Sequence, residues 1–148
     1  MGTAAAYKRP ESVLVVVHTG TAVLLLRRAD HADFWQSVTG SLDWNETPRA
    51  AAARELFEET GIRTEPEMLR DMELVHRYPI QPRWRARYAP DVSENTEHTF
   101  ALMLPLEVPV RLCAEHAEYA WFGVADAAAR VASWTNRDAI LAIERRRP

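Results

Sequence analysis

Between Ser12 and His18 the chain reads SVLVVVH, an apolar run without polar alternation, which predicts a β-strand covered on both faces. A second run, AVLLLRR over Ala22–Arg28, follows across the short glycine-bearing link HTGT, so the two predict a hairpin. FWQSVT, Phe34–Thr39, predicts a third strand that ends at Gly40, where the chain can turn freely. The period then changes. Thr47 can cap a helix, Pro48 suits its first position, the four alanines Ala50–Ala53 have the highest helix propensity, and Gly61 stands where a C-terminal cap belongs. A helix over Pro48–Thr60 follows from those signals.

Farther on, Met72–Tyr78 predicts a weak strand, and residues 79–97, PIQPRWRARYAPDVSENTE, predict an extended loop rich in proline, arginine and aromatics. Thr99–Leu106 and Tyr119–Val124 read as buried strands, with RLCAEHAE as a loop before the second. Asp126 can cap one C-terminal helical piece, and Thr135 with Asp138 resembles a capping box for another. Arg145, Arg146 and Arg147 suit a helix C-terminus, where cations complement the dipole. No repeat or linker interrupts the pattern, so one domain over residues 1–148 is expected, with residues 1–6 as a mobile lead-in.

Composition narrows the function classes. With 148 residues, 47% hydrophobic and 26% charged, the chain has an ordinary globular composition. A formal net charge of -3 gives no global reason to bind nucleic acid or an anionic membrane, so any anionic ligand must be met by local cations or a metal. One cysteine, Cys113, cannot form an internal disulfide and points to a reducing compartment, the cytoplasm by default. The N-terminal apolar run is too short to span a bilayer and lacks the order of a secretory signal.

Candidate chemistry centres on ELFEE, which packs Glu55, Glu58 and Glu59 into five positions of the predicted helix. Glu55 and Glu59 lie one turn apart on one face, and Glu58 neighbours Glu55 at i, i+3, an arrangement that costs a few tenths of a kcal/mol per like-charged pair. A hard divalent cation removes that repulsion, because Mg²⁺ takes carboxylate oxygens and substrate phosphates as ligands. A solvated acidic patch has the same spacing. Leu56 and an alanine before it can face the core, while Arg54 can hold Glu58 by an ion pair.

The whole string GSLDWNETPRAAAARELFEETGI, residues 40–62, fits the pattern G-x5-E-x7-R-E-U-x-E-E-x-G-U, where U is bulky and aliphatic, at every fixed position. On these residues the sequence resembles the Nudix hydrolase family. That resemblance implies an α+β fold, a mixed β-sheet sandwiched between α-helices, and Mg²⁺- or Mn²⁺-dependent hydrolysis of a diphosphate linked to another group. It implies metal ligation by Glu55, Glu58 and Glu59, catalysis by Glu58 and Glu55 with Arg54 orienting a glutamate, and structural parts for Gly40, Glu46 and Gly61. Which glutamate takes the proton stays open.

Further segments, YKRP, LLLRRADHADFWQSVTGSL, RYAP with NTEH, EHAEYAWF and SWTNRDAI, resemble the branch that hydrolyses dihydroneopterin triphosphate in folate synthesis. That likeness implies a small-molecule pterin triphosphate as substrate, Glu115 as a further metal ligand with Glu118 as the competing choice, and Lys8, Arg27, Thr39 and Ser133 as substrate contacts. Solubilising charge, turn formation and helix capping are the plainer roles for those residues. Trp35, Trp84, Tyr88 and Trp134 are aromatic candidates for the ring, with Trp35 and Trp121 better suited to packing, and PRWRARY departs in composition from that branch. Cys113 reads as a small buried residue without a basic partner, His18, His31, His76 and His98 lack metal-ligand spacing, and His116 could orient Glu115. A broader hydrolase of (d)NTPs, oxidised nucleotides or dinucleoside polyphosphates is the alternative, the last favoured by Tyr78. A nucleotide-binding sensor without catalysis is the alternative of another class, against which the intact REUxEE argues.

Overall fold

The computed structural model describes residues 7–145; the expected lead-in over residues 1–6, residues 146–148 with Arg146 and Arg147, and the side chain of Arg145 lie outside the described residues. Its elements run β1 (Glu11–His18), β2 (Ala22–Arg28), β3 (Trp35–Gln36), β4 (Val38–Ser41), α1 (Pro48–Thr60), β5 (Arg70–Pro79), β6 (Glu94–Met103), β7 (His116–Gly123), α2 (Val124–Arg130) and α3 (Trp134–Arg145). The sheet is mixed. Strand order is β3-β2-β1-β6-β5, with β4 also on β1 and β7 also on β2, and β1 pairs with β6 in parallel while the other pairings are antiparallel.

The apolar run of β1 serves two cores. Val13, Val15 and Val17 point to one face, where Ala51, Ala52 and Leu56 of α1 join Leu24, Leu26, Phe100 and Leu102. Leu14 and Val16 point to the other, against Ala127 and Ala128 of α2 and Ala139, Ile140, Ala142 and Ile143 of α3. Two buried faces explain why the run lacks alternation. Helix α1 has its predicted bounds: the Thr47 hydroxyl accepts the Ala50 N–H at 3.2 Å, and Gly61, at φ 76°, closes the end by donating its N–H to the Phe57 carbonyl at 2.8 Å.

Several expectations change. The hairpin is a hairpin only at its tip, because β1 meets β2 at the single pair His18–Val23 before pairing with β4 and β6, while β2 runs along β7. The predicted strand Phe34–Thr39 is two strands on different neighbours, divided at Ser37, whose N–H is drawn to Asn136 Oδ1 at 2.8 Å. Residues 79–97 are not one loop: Pro82–Arg87 forms a 3-10 turn and Glu94 already begins β6. That strand stops at Met103, leaving Leu106 exposed, and β7 starts at His116 inside the expected loop. Asp126 caps nothing; it sits in the first turn of α2 and pairs with Arg130 at 3.0 Å. Nor does Thr135 cap α3, since Ser133 Oγ accepts the Asn136 N–H at 3.1 Å and Asp138 turns to His76. Among the described residues no helix is long and apolar enough to cross a membrane.

Candidate active site

Helix α1 is anchored by its apolar face, and that anchoring fixes where its carboxylates point. Leu56 is fully buried, Glu55 half-buried, Glu59 buried and Glu58 exposed. Arg54 collects the acidic groups around it. Its Nε and Nη2 hold both oxygens of Glu46 at 2.7 Å, Nη1 reaches Glu55 at 2.8 Å and Glu58 at 3.2 Å, and Nη2 donates to the Ser41 carbonyl at 3.1 Å. The two-pronged contact is the strong form of a charge-assisted bond. Glu46 in turn accepts the Asp43 N–H at 2.9 Å, so its carboxyl is held well below the usual carboxylate range, first by Arg54. The same loop is tied down from the segment before β1: Arg9 Nη1 donates to the carbonyls of Asp43, Trp44 and Glu46, and Arg9 also grips Glu11, which contacts His98 at 2.9 Å.

Glu55 and Glu59 face each other closely enough to share a proton. Burial is the main force raising both carboxyls, and for Glu59 the neighbouring Glu55 adds to it, while the Thr39 N–H favours its ionised form. Like carboxylates in one site cannot both ionise cheaply. Glu59 Oε1 is buried with no hydrogen-bond partner. Gly40 makes room for the pair, since a Cβ there would stand 2.1 Å from Glu55 Cδ. Among the described residues no three carboxylate, imidazole or thiol groups form a finished ion cage. What they supply is a donor set of hard oxygens, repelling one another, with one buried oxygen unpartnered; that chemistry fits Mg²⁺ or Mn²⁺.

Glu118, in β7, is engaged with Arg27 at 3.0 Å, whereas Glu115, in the loop before it, acts electrostatically on both Glu59 and Lys8. The structure thus brings Glu115 rather than Glu118 to the helix carboxylates. Lys8 belongs to the same neighbourhood: its ammonium is lowered by desolvation and then by Arg87, with Glu55 and Glu115 pulling the other way. Thr39 faces the site through its N–H and spends its hydroxyl on the Val13 carbonyl at 2.9 Å. Ser133 stands apart, capping α3 on the opposite side of the sheet.

The aromatic candidates scatter. Tyr88 is buried under Lys8, Trp84 is stacked on by Arg83 at 4.3 Å, Trp35 packs edge-on to Phe122, and Trp134 is 51% exposed beside His76. Cys113 is half-buried rather than buried and does have a basic neighbour, His116 Nδ1 at 3.9 Å. His116 does not orient Glu115, because its other ring nitrogen is taken by Gln36 at 3.0 Å and burial lowers its pKa. Two groups escaped the sequence: Arg9, a strap whose targets are backbone carbonyls, and a buried polar row on β5 and β6 whose signal is the alternation of Asn95, Glu97 and Thr99.

Comparison with known proteins agrees with this geometry. The NUDIX domain profile matches residues 8–142. The chain is 45% identical over 138 residues to the dihydroneopterin triphosphate diphosphatase of Escherichia coli K12, covering 90% of this chain and 91% of that protein. It is 38% identical over 139 residues to the protein of the same name from Haemophilus influenzae, covering 90% and 87%. The solved structure of the E. coli dihydroneopterin triphosphate pyrophosphohydrolase superimposes with a TM-score of 0.82 over 91% of this chain and 94% of that one.

Proposed function

From the premise that this chain belongs to the NUDIX domain family and is a Nudix hydrolase, we propose that it converts dihydroneopterin triphosphate to dihydroneopterin monophosphate and pyrophosphate. Water adds across one phosphoanhydride bond, the bridging oxygen leaves with one fragment, and the released proton passes to a carboxylate. The observation that carries this reading is the Glu55–Glu59 pair, with Glu55 gripped by Arg54, in a chain akin to enzymes of that name.

Glu55, Glu58 and Glu59, with Glu115 from the loop before β7, would hold Mg²⁺ or Mn²⁺, which when bound polarises a phosphate oxygen and lowers the pKa of a bound water. One helix carboxylate accepts the proton of the attacking water. Arg54 keeps Glu55 and Glu58 from swinging away and locks the helix to the Glu46 loop. Lys8 and Arg27 supply positive charge for the triphosphate, and Arg27 exchanges its contact with Glu118 for phosphate. Thr39 and Ser133 are further substrate contacts. The small-molecule reaction belongs in the cytoplasm, where a lone cysteine stays reduced.

Pyrophosphate release across a panel of triphosphates tests the assignment. Efficiency toward dihydroneopterin triphosphate should exceed that toward ATP, GTP and dATP by roughly 10-fold or more, the selectivity a polar ring pocket readily supplies. An equal or reversed ranking leaves a broad nucleotide hydrolase instead. Products formed in ¹⁸O-water identify the phosphorus attacked. Arg54→Lys should lower kcat/KM about 10- to 100-fold, because an ammonium cannot reproduce the two-pronged grip on Glu46 while reaching Glu55 and Glu58. Steady-state kinetics beside a melting curve checks that the loss is catalytic.

A further inference from the structure

On the sheet face that carries α3, the apolar core gives way to a row of polar side chains. Strand register sets Ser12 of β1 beside Glu97 of β6, Glu97 beside His76 of β5, and Asn95 beside Tyr78. Ser12, His76, Asn95, Glu97, Thr99 and Thr135 are each more than nine-tenths buried. Asn95 Nδ2 donates to Ser12 Oγ at 2.8 Å and to the Tyr78 hydroxyl at 3.0 Å, while the hydroxyls of Thr135 and Tyr78 interact with the Glu97 carboxylate. His76 stands between Glu97, 3.9 Å away, and Asp138, 3.5 Å away.

The row is incompletely satisfied. Among the described residues, five buried side-chain polar atoms lack a hydrogen-bond partner, and four of them are here: Glu97 Oε1, Asn95 Oδ1, His76 Nδ1 and Thr99 Oγ1. The fifth is Glu59 Oε1 in the carboxylate site. Unpartnered buried polar atoms work against folding, so a concentration of them marks a place where water or a ligand group completes the hydrogen bonds. Asn95 Oδ1, and Glu97 Oε1 when ionised, can only accept, and they suit a ligand edge that presents donors. Trp134, 51% exposed with its ring edge-on to His76 at 5.1 Å, sets an exposed aromatic surface beside the row.

Position joins this row to the phosphate chemistry. Ser12 is in register with Glu97 on one side and with Ser41 of β4 on the other. Strand β4 carries Thr39 and Gly40, which meet Glu59 and Glu55. Strands β6 and β4 are thus two strand spacings apart, roughly 10 Å, with the polar row on the α3 face of the sheet and the carboxylates on the α1 face.

We propose that Glu97, flanked by Asn95, selects the substrate's ring by accepting hydrogen bonds from the adjacent ring N–H and exocyclic amine of a 2-amino-4-oxopyrimidine edge. This assignment rests on the pterin triphosphate reading above and extends it to a specificity-determining residue. Glu97 Oε1, the carboxylate oxygen without a partner, accepts from the donor edge, and Asn95 Oδ1 beside it is open to a further polar contact. Burial pushes the Glu97 carboxyl up to about 7, so a pair of donors arriving with the ring favours its ionised form.

Binding of unphosphorylated neopterin, followed by its own fluorescence, tests the assignment without turnover. A lumazine counterpart, with a carbonyl in place of the 2-amine, serves as the comparison ligand. The wild-type protein should prefer neopterin by about 30-fold, and Glu97→Gln, whose amide can donate to that carbonyl, should weaken neopterin about 30-fold and bring the two ligands within roughly threefold. Wild-type neopterin affinity in the folded variant, or an unchanged ligand ratio, overturns the proposal and leaves the row to ordered water. Should the variant fail to fold, the wild-type ratio decides, and a value near one overturns it. Selective neopterin binding without preferential triphosphate turnover would sink the proposed reaction and leave this site standing; the opposite pairing would remove the site alone.

Discussion

Glu59→Gln should lower kcat/KM by at least about 1,000-fold while making the metal-free protein more stable at pH 8. The kinetic loss follows from removing one anionic oxygen of the pair proposed to meet the ion, a change of about 4 kcal/mol in transition-state stabilisation at that size. The gain in stability follows from the proton. Burial first, and Glu55 next, hold the Glu59 carboxyl of the folded chain above its unfolded value. Across that interval the folded state carries the extra proton, so its stability is full below the ordinary glutamate value and falls as pH rises through the folded one. Glutamine mimics the protonated acid and abolishes that fall. Melting curves of the two metal-free proteins should therefore coincide near pH 4.5 and separate by a few °C at pH 8, with the variant higher, at about 2–4 °C per kcal/mol for a chain of this size. A variant that is inactive and also less stable at pH 8 would mean that Glu59 is chiefly a structural group.

Gly40→Ala should have nearly the reverse profile, a large catalytic loss with little change in melting. An added Cβ would stand 2.1 Å from Glu55 Cδ and 2.4 Å from each of its oxygens. The obstructing atoms are the far end of a flexible side chain, so the fold can yield by swinging the carboxylate aside. Catalysis cannot yield in the same way, since Glu55 would be moved off Glu59 and strained against Arg54. A misplacement of about 1 Å can cost 100-fold, and kcat/KM should drop by at least that much with Tm within about 3 °C. Parallel assays of turnover and melting separate this outcome from general unfolding. Retained activity would show that the Glu55 position in the structure is not the working one.

Legibility followed the range of the forces involved. Helix α1 was readable to its ends because Thr47, Pro48 and Gly61 act on their own neighbourhood. The ion pair between Arg54 and Glu58 was equally local, one turn along the same helix. The break between β3 and β4 was not readable, because it is imposed by Asn136, 99 residues away, which claims the Ser37 N–H and its hydroxyl. Arg9 shows the same limit: its partners are backbone carbonyls of residues 43–46, and carbonyls leave no mark in a sequence. The start of β6 was missed for another reason. Asn95 and Glu97 have poor strand propensity and read as loop, yet their alternation with Thr99 and Ala101 places them all on one buried face. Polar residues in a buried strand break the rule that makes strands visible, and they do so here beside the proposed ring site.

The acidic face of α1 is proposed to hold a divalent cation in exchange for a proton. Calorimetric titration of Mn²⁺ into the protein at pH 7.5, in two buffers of different ionisation enthalpy, measures both parts together. The wild-type protein should bind with release of roughly one proton, because ligands must be deprotonated to coordinate, and Glu59→Gln should bind at least about 10-fold more weakly and release none. Equal affinity in the two proteins, or wild-type binding without proton release, would contradict the account.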